Sequence, residues 1–204
     1  MRSSYTVRLS QRDFAKAVDV TTHAFRNYAF LQYLTPQTDA RMRFARWFCT
    51  SCIRYGQLYG RVDTNSTVNG VAVWLTPGRT TLTPWRLLRS GFISAPIHVH
   101  VQSLKRFILS NSHMEHEHKR FADKHHWYLM ALGVDPQYQG QGVGSQIIQP
   151  VLELADAQHE QCYLETQTER NSQFYERHGF KIMSQKTMPD SEMTIFAMVR
   201  KPKL

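Results

Sequence analysis

The 204-residue chain has little of what marks membrane-spanning or secreted proteins. Its three cysteines form no disulfide framework and are typical of a reducing compartment. No apolar run approaches the ~20 residues of a membrane span, and the first residues lack the apolar run of a signal peptide. We therefore expect a cytoplasmic protein with no membrane partner, folded as a single domain over residues 1–204.

Two short patterns that could bind a metal lack the remaining ligands. The stretch CTSC, from Cys49 to Cys52, lies inside a helical pattern, and a zinc site would need two more ligands. The stretch HMEHEHKR (113–120) has no second cluster at a fixed spacing. Core packing and a solvated helix are the better interpretations, so we expect no metal.

The charge of the chain is strongly of one sign, with a formal net charge of +9 and a pI near 9.7. A basic surface favours anionic partners such as nucleic acid or a phosphorylated ligand. The lysines and arginines are scattered, however, and no nucleic-acid-binding motif accompanies them. We therefore expect either a solvated basic surface or a phosphorylated ligand, rather than nucleic acid.

The apolar patterns predict an α+β fold with a mixed, mostly antiparallel sheet of about seven strands. The run HHWYLMALGV (125–134) is nearly continuous and predicts a central strand covered on both faces. Residues 79–124 are polar, basic and helical in pattern, and we expect them to form a helical insertion. Pro150 lies inside a predicted helix, where we expect a kink or an irregular turn.

A glycine-rich loop, QYQGQGVGS (137–145), lies between the central strand and an amphipathic helix. A Walker loop requires a lysine, and none occurs between Tyr128 and Arg170. The glycine spacing also differs from that of a dinucleotide-binding loop. Glycines let several backbone amides converge on an anion, and the helix N-terminus adds positive charge. The loop therefore suits a pyrophosphate, although an ordinary strand–helix turn is the alternative.

The stretch LGVDPQYQGQGVGSQII resembles the acetyl-CoA loop of the GNAT superfamily of N-acetyltransferases. A second block, YLETQTERNSQFYERHGF, is similar to the next strand and helix of that superfamily. Similarity over most of residues 68–202 extends to the puromycin N-acetyltransferase-like branch. The resemblance implies a central sheet splayed in the middle with helices on both faces. It also implies acetyl-CoA as co-substrate and direct attack by a primary amine in a ternary complex.

Residue roles follow from the same resemblance. Tyr175 matches the general acid that protonates the leaving thiolate, with a core aromatic as its alternative. Asn171 matches a side-chain contact to the cofactor, with a helix N-cap as its alternative. The residues implied in cofactor binding are Leu132, Gly133, Val134, Gln139, Gly140, Gln141, Gly142, Val143, Gly144, Ser145 and Asn171.

The sequence leaves the general base and the acceptor open. His126, Tyr128, Glu165 or a water molecule could accept the proton of the amine. The basic insertion argues against polycationic acceptors, and the surrounding aromatic residues favour a small aromatic amine. An aromatic run precedes the second helix and is either core or substrate floor: Phe25, Tyr28, Phe30 and Tyr33. Acetylation of protein N-termini or lysines, and a non-catalytic acyl-CoA sensor, are the alternative functions. The chain could be a monomer or a homodimer.

Overall fold

A computed structural model describes residues 5–94, 101–189 and 191–203. The seven strands of this described part form one sheet, in the order β1-β2-β3-β4-β5-β7-β6. Every neighbouring pair is antiparallel except the parallel pair β4–β5. The strands are β1 Thr6–Arg8, β2 Gly60–Asn65, β3 Gly70–Leu75, β4 His126–Val134, β5 Gln161–Thr166, β6 Lys181–Thr187 and β7 Thr194–Arg200.

Seven α-helices accompany these strands in the described ranges. They are α1 Phe14–Phe25, α2 Ala29–Leu34, α3 Thr38–Tyr59, α4 Pro84–Ser90, α5 Val101–Phe121, α6 Val143–Ala157 and α7 Glu169–Glu176. Helices α4 and α5, with a short 3-10 turn at Phe92–Ser94, form the predicted helical insertion. The part of that prediction on residues 95–100 lies outside the described residues. No helix within the described ranges has the length and apolar character needed to cross a bilayer.

The sheet opens between its two parallel strands. Pairing of β4 with β5 runs from His126 and Gln161 to Leu129 and Leu164, whereas β4 continues to Val134. On its other edge, β4 stays paired with β3 as far as that residue. The far half of β4 therefore has one edge without a strand partner, as the predicted splay requires.

A β-bulge lies at the start of this opening. Val73 of β3 lies opposite Ala131 and Trp74 lies opposite Leu129, so Met130 is the extra residue on β4. A bulge bends its strand and redirects the side chains that follow it. The bend in β4 therefore coincides with the end of its pairing to β5.

Helices pack on both faces of the sheet, which confirms the predicted fold class. One core joins α6 and α7 to the sheet and contains Trp74 and Trp127, both buried. On the other face, α1 and α3 contact β2, β3 and β4, and Phe121 of α5 packs on Tyr163. Cys49 and Cys52 are buried within α3, which confirms the core-packing interpretation of the CTSC pattern.

Helix α6 continues through Pro150 to its end at Ala157. Proline lacks the N–H that would bond the carbonyl of Gln146, four residues earlier. The hydroxyl of Thr6 donates to that carbonyl at 2.9 Å. A strand residue from the start of the chain thus supplies the hydrogen bond that the proline cannot.

Candidate functional site

The glycine-rich loop has the backbone conformation that only glycine adopts easily. Gly140 and Gly142 have φ values of 77° and 81°, in the left-handed region. Gly142 is also the N-cap of α6. No atom lies within 4 Å of the position that a Cβ would take at either glycine. The loop therefore presents bare backbone to open space at the N-terminus of a 15-residue helix.

The backbone amides of residues 139–145 donate no hydrogen bond within the described part of the chain. Two side chains hold the loop in place without using these amides. The Gln139 amide group donates to the Val134 carbonyl at 3.0 Å, and that of Gln141 donates to the Gln137 carbonyl at 2.9 Å. Helix N-termini leave their first N–H groups unpaired, so this region can bind an anion.

A cavity of about 690 Å³ lies where β4 and β5 separate. Its wall includes Phe25, Tyr28 and Phe30 of the predicted aromatic run, whereas Tyr33, buried in the same core cluster as Phe30, is not among the lining residues. Further lining residues are Phe48, Leu82, Pro84, Leu87, Phe92, Ile93, Phe107, Ile108, Asn111, Ser112, Met114, Glu115, residues 128–132, Glu165, Gln167, Asn171 and Tyr175.

Glu165, near the end of β5, supplies an ionisable carboxyl group to this apolar cavity. Burial raises its pKa from the ordinary value to about 7, and the hydrogen bond from Tyr128 opposes part of that rise. The Tyr128 hydroxyl donates to Oε2 at 2.8 Å. A carboxyl group with this pKa changes its protonation state in the neutral range, as a general base must.

Glu115 of α5 is the second charged residue among the described residues that line the cavity. Its negative charge contributes to the raised pKa of Glu165. Lys119, one helical turn further along α5, lies 3.0 Å from the Glu115 carboxylate. Sequence reasoning missed Glu115 because it lies in the stretch interpreted as a solvated helix. The pattern that could have identified Glu115 in the sequence is its helical spacing from Phe107, Ile108 and Asn111, which line the same cavity.

Tyr175 of α7 is buried and also lines the cavity. Its ring packs against Phe174 and Phe180, with centroids 5.1 and 5.7 Å away. Burial raises the pKa of the phenol well above its ordinary value, so the hydroxyl stays protonated at neutral pH. The ring is therefore part of the core, while the side chain also reaches the cavity.

Asn171 is not the N-cap of α7. Thr168 has that role, because its hydroxyl accepts from the Asn171 amide at 3.3 Å. The side chain of Asn171 lines the cavity and hydrogen-bonds the Tyr28 hydroxyl. Nearby, the backbone N–H of Gln167 donates to the Tyr28 hydroxyl at 3.2 Å. This hydrogen bond joins the bend between α1 and α2 to the end of β5.

His126, another candidate base, is not among the residues that line the cavity. Its Nε2 lies 2.7 Å from Nε2 of His118, and its Nδ1 lies 2.5 Å from the Asp123 carbonyl. Both imidazoles are buried, and burial lowers both pKa values, that of His118 to about 4. The pair joins α5 to β4, and the His118 ring packs against that of Tyr128 with centroids 4.8 Å apart.

The histidine-rich stretch from His113 to Arg120 lies in α5 and does not form a common cluster. Glu117 is buried and accepts a hydrogen bond from Ser184. Across the described ranges, no three histidine, cysteine or acidic side chains are placed to share a metal ion.

Comparison with known proteins gives a matching family model and a related protein. Residues 110–182 match the family model described as "Acetyltransferase (GNAT) domain". An uncharacterized N-acetyltransferase of Schizosaccharomyces pombe is 26% identical over 206 residues, which cover 96% of this chain and 82% of that protein. The matched region contains the central strand, the glycine-rich loop and many cavity-lining residues, including Glu115, Glu165 and Tyr175.

Solved structures share the fold over the whole chain. One is the crystal structure of a "histone acetyltransferase HPA2 and related acetyltransferase" from Corynebacterium glutamicum, with a TM-score of 0.68 and 25% identity. It covers 99% of this chain and 98% of that one. Arylalkylamine N-acetyltransferase 2 from Aedes aegypti has a TM-score of 0.62 and 12% identity, over 99% of this chain and 100% of that one. This second likeness shows the fold alone.

Proposed function

The chain is a member of the GNAT superfamily of acetyltransferases, and on that premise we propose that it moves an acetyl group from acetyl-CoA to a primary amine of a small molecule. The observation that carries the proposal is the position of Glu165. Its pKa of about 7 belongs to a carboxyl group facing an apolar cavity beside the opening of the sheet. The amine attacks the thioester directly, in a complex of both substrates with the enzyme.

Acetyl-CoA binds along the opening and the glycine-rich loop in this proposal. The pyrophosphate lies on the amides of residues 139–145, which have no partner within the described chain. The unpaired edge of β4, including Leu132, Gly133 and Val134, pairs with the pantetheine arm as an added strand would. An N–H of that edge polarises the thioester carbonyl in the transition state. Asn171 contributes a side-chain contact.

Glu165 accepts the proton of the amine in the proposed mechanism, directly or through one water molecule. A primary amine has a pKa near ~10 in water and is mostly protonated at neutral pH. The apolar cavity disfavours the charged ammonium and brings its pKa closer to that of Glu165. Tyr128 orients the carboxylate through its hydrogen bond. The proposal thus chooses Glu165 as the general base over His126 and Tyr128, the other two side chains that the sequence left open.

Tyr175 donates a proton to the thiolate that leaves CoA. The free thiol has a pKa near ~8.5, and a thiolate in a water-poor site is a stronger base. The phenol is protonated throughout the neutral range because burial raises its pKa. The C–S bond breaks as the C–N bond forms, and the phenol proton moves to sulfur. Glu165 has already taken one proton from the ammonium group, and the second proton that the nitrogen loses returns to the Tyr175 phenolate through solvent.

A walled cavity supports a small-molecule acceptor over a protein acceptor. Side chains from the α1–α2 bend, α3, α4 and α5 surround the space in front of Glu165. A protein N-terminus or lysine would need an open groove. The presence of Glu165 also argues against a non-catalytic sensor, which needs no base. The arylalkylamine acetyltransferase of Aedes aegypti has the same fold, and its name agrees with an aromatic amine as acceptor.

The experiment that tests this function measures thiol release from acetyl-CoA over a panel of amines. The panel contains arylalkylamines, alkylamines, polyamines and peptides with free N-termini. We expect release with the first two classes and little with polyamines, since Lys105 and Arg89 near the cavity repel them. Preferred turnover of the peptides would contradict the small-molecule assignment.

A further inference from the structure

We propose that the acceptor is an amphiphilic primary amine whose apolar group extends from Glu165 through the cavity and out across Ile93 and Ile108. The inference rests on the proposed function and narrows its substrate class. It follows from the way polarity and exposure change from one end of the cavity to the other.

The proposed catalytic groups lie at one end of the cavity. Glu165, Tyr128 and Tyr175 come from β5, β4 and α7, where the sheet opens. The opposite wall comes from α4, the following turn and α5, and includes Leu87, Phe92 and Ile108. An amine at Glu165 therefore directs the rest of its molecule toward apolar side chains. A second cationic group would have only Glu115 of α5 as a charged partner among the described lining residues, and Lys119 already pairs with that carboxylate at 3.0 Å.

The apolar wall continues onto the surface. Ile93 and Ile108 line the cavity although they are 60% and 59% exposed. On the same two helices, α4 and α5, Trp85, Leu88 and Leu109 are 65%, 43% and 48% exposed. Exposed apolar side chains at the rim of a cavity mark a surface that binds something apolar. The continuity of this surface with the cavity indicates the occupant: the outer part of the ligand held inside.

Two cations on the helices that carry this rim disfavour polyamines, which carry more than one positive charge. Lys105 lies one turn before Ile108 on α5, and Arg89 lies one turn after Trp85 on α4, both exposed. These cations repel a polyamine, and they leave an uncharged alkyl or aryl group unaffected. An acceptor with one amine and a long apolar group can place its amine at Glu165, pack on the apolar wall and avoid repulsion from the cations near the rim.

The test compares propylamine, hexylamine and decylamine as acceptors in the thiol-release assay. A fully buried methylene contributes about 0.8 kcal/mol, which corresponds to about fourfold in kcat/KM. We expect kcat/KM to rise by at least about tenfold between hexylamine and decylamine. Ile108→Asn and Ile93→Asn should lower kcat/KM for decylamine by about tenfold and leave propylamine within about twofold. Ile182→Asn, at a 38% exposed isoleucine of β6, is the matched control and should have no effect at any length.

Two results would overturn the inference while the proposed function stands: equal kcat/KM across the series, or equal losses for all lengths in the Ile93 and Ile108 variants. A dimer that Ile108→Asn dissociates in sedimentation, with the length preference unchanged, would assign the surface to a second copy instead. Calorimetry with N-acetyloctylamine separates the two proposals, because it needs no turnover. Binding that Ile108→Asn weakens, in an enzyme that acetylates no amine, would support the inference and contradict the proposed function.

Discussion

Glu165 shows how one residue acquires a chemical role from its surroundings. A glutamate in water is ionised at neutral pH and is too weak a base to take a proton from an ammonium group. At the end of β5 the same carboxyl group is buried, and its pKa rises to about 7. The Tyr128 hydroxyl keeps the carboxylate in one orientation. Position, rather than residue type, makes Glu165 the candidate base.

Replacing Glu165 with glutamine should lower kcat by about 10²-fold or more, the usual range for loss of a general base. In the unchanged enzyme, kcat/KM should fall as the pH drops below about 7, because the carboxylate becomes protonated. That inflection should vanish in Glu165→Gln, while the rise due to the amine's own pKa persists. The measurement is the pH dependence of kcat/KM from pH 5.5 to 9.

Glu117→Gln is the matched control, since Glu117 is also buried but bonds Ser184 outside the cavity. It should keep both kcat and the inflection near pH 7. An inflection retained in Glu165→Gln would assign the base to another group.

Replacing Tyr175 with phenylalanine should lower kcat by about 10²-fold, with the KM for acetyl-CoA within a few-fold. The ring still packs on Phe174 and Phe180, so the melting temperature should change little. Tyr33→Phe is the control, because Tyr33 is equally buried, at 8% exposure, and lies outside the cavity. An undiminished kcat in folded Tyr175→Phe would make Tyr175 a core aromatic only.

At the scale of elements, the strand–loop–helix unit of β4 and α6 is the proposed cofactor site. The central strand has the bounds His126–Val134 because a continuous apolar run fits only a strand covered on both faces. The helix begins immediately after Gly142, whose positive φ turns the chain. Its first amides then face open space.

Replacing Gly142 with alanine should raise the dissociation constant for CoA by about tenfold, or about 1.4 kcal/mol. The new Cβ would project into the open space in which we propose that the pyrophosphate binds. Gly78→Ala is the control, because Gly78 has a φ of 75° and equally open surroundings. Both variants should lose similar stability, and calorimetry should show weaker CoA binding only for Gly142→Ala. Equal CoA affinities would contradict the loop assignment.

Local patterns determined more of this fold than of its site. The alternation of apolar residues and the glycines predicted the mixed sheet and the start of α6, because both depend on near neighbours along the chain. The hydrogen bond from Thr6 to Gln146 could not be predicted, since its residues are 140 positions apart. The same holds for the raised pKa of Glu165, which depends on burial by the folded chain and on the charge of Glu115. The Met130 bulge likewise depends on the pairing of two strands.

At the scale of the whole molecule, the buried pair of His118 and His126 couples stability to pH. Burial lowers the pKa of His118 from about 6.5 to about 4, so folding favours the neutral imidazole. This stabilisation is present above the unfolded-state pKa of about 6.5 and is lost as the pH falls toward about 4. The neighbouring charge of Lys119 acts in the same direction.

The free energy of unfolding should therefore fall by about 3 kcal/mol between pH 6.5 and pH 4 through this group. His118→Gln should flatten that slope, because glutamine can bond His126 without titrating. His116→Gln, on the same helix but with an exposed side chain, should leave the slope unchanged. Urea unfolding at several pH values measures the slopes. Identical slopes for His118→Gln and the unchanged protein would contradict the coupling.

Across the whole molecule, the cysteines are also poorly suited to forming a covalent acetyl-enzyme. All three cysteines are buried, and burial raises the pKa of Cys49 and Cys162 to about 12. The pKa of Cys52 lies well above its ordinary value as well. A thiol that stays protonated is a poor nucleophile, so no cysteine is suited to carry the acetyl group.

The central claim is direct transfer from acetyl-CoA to an amine held beside Glu165. Initial rates measured while both substrates are varied test it most directly, with the best amine from the panel. The account predicts intersecting double-reciprocal lines, since both substrates must be bound together, and no acetylated enzyme by intact-mass spectrometry after mixing with acetyl-CoA alone. Parallel lines with an acetylated enzyme would show a covalent intermediate and contradict the account.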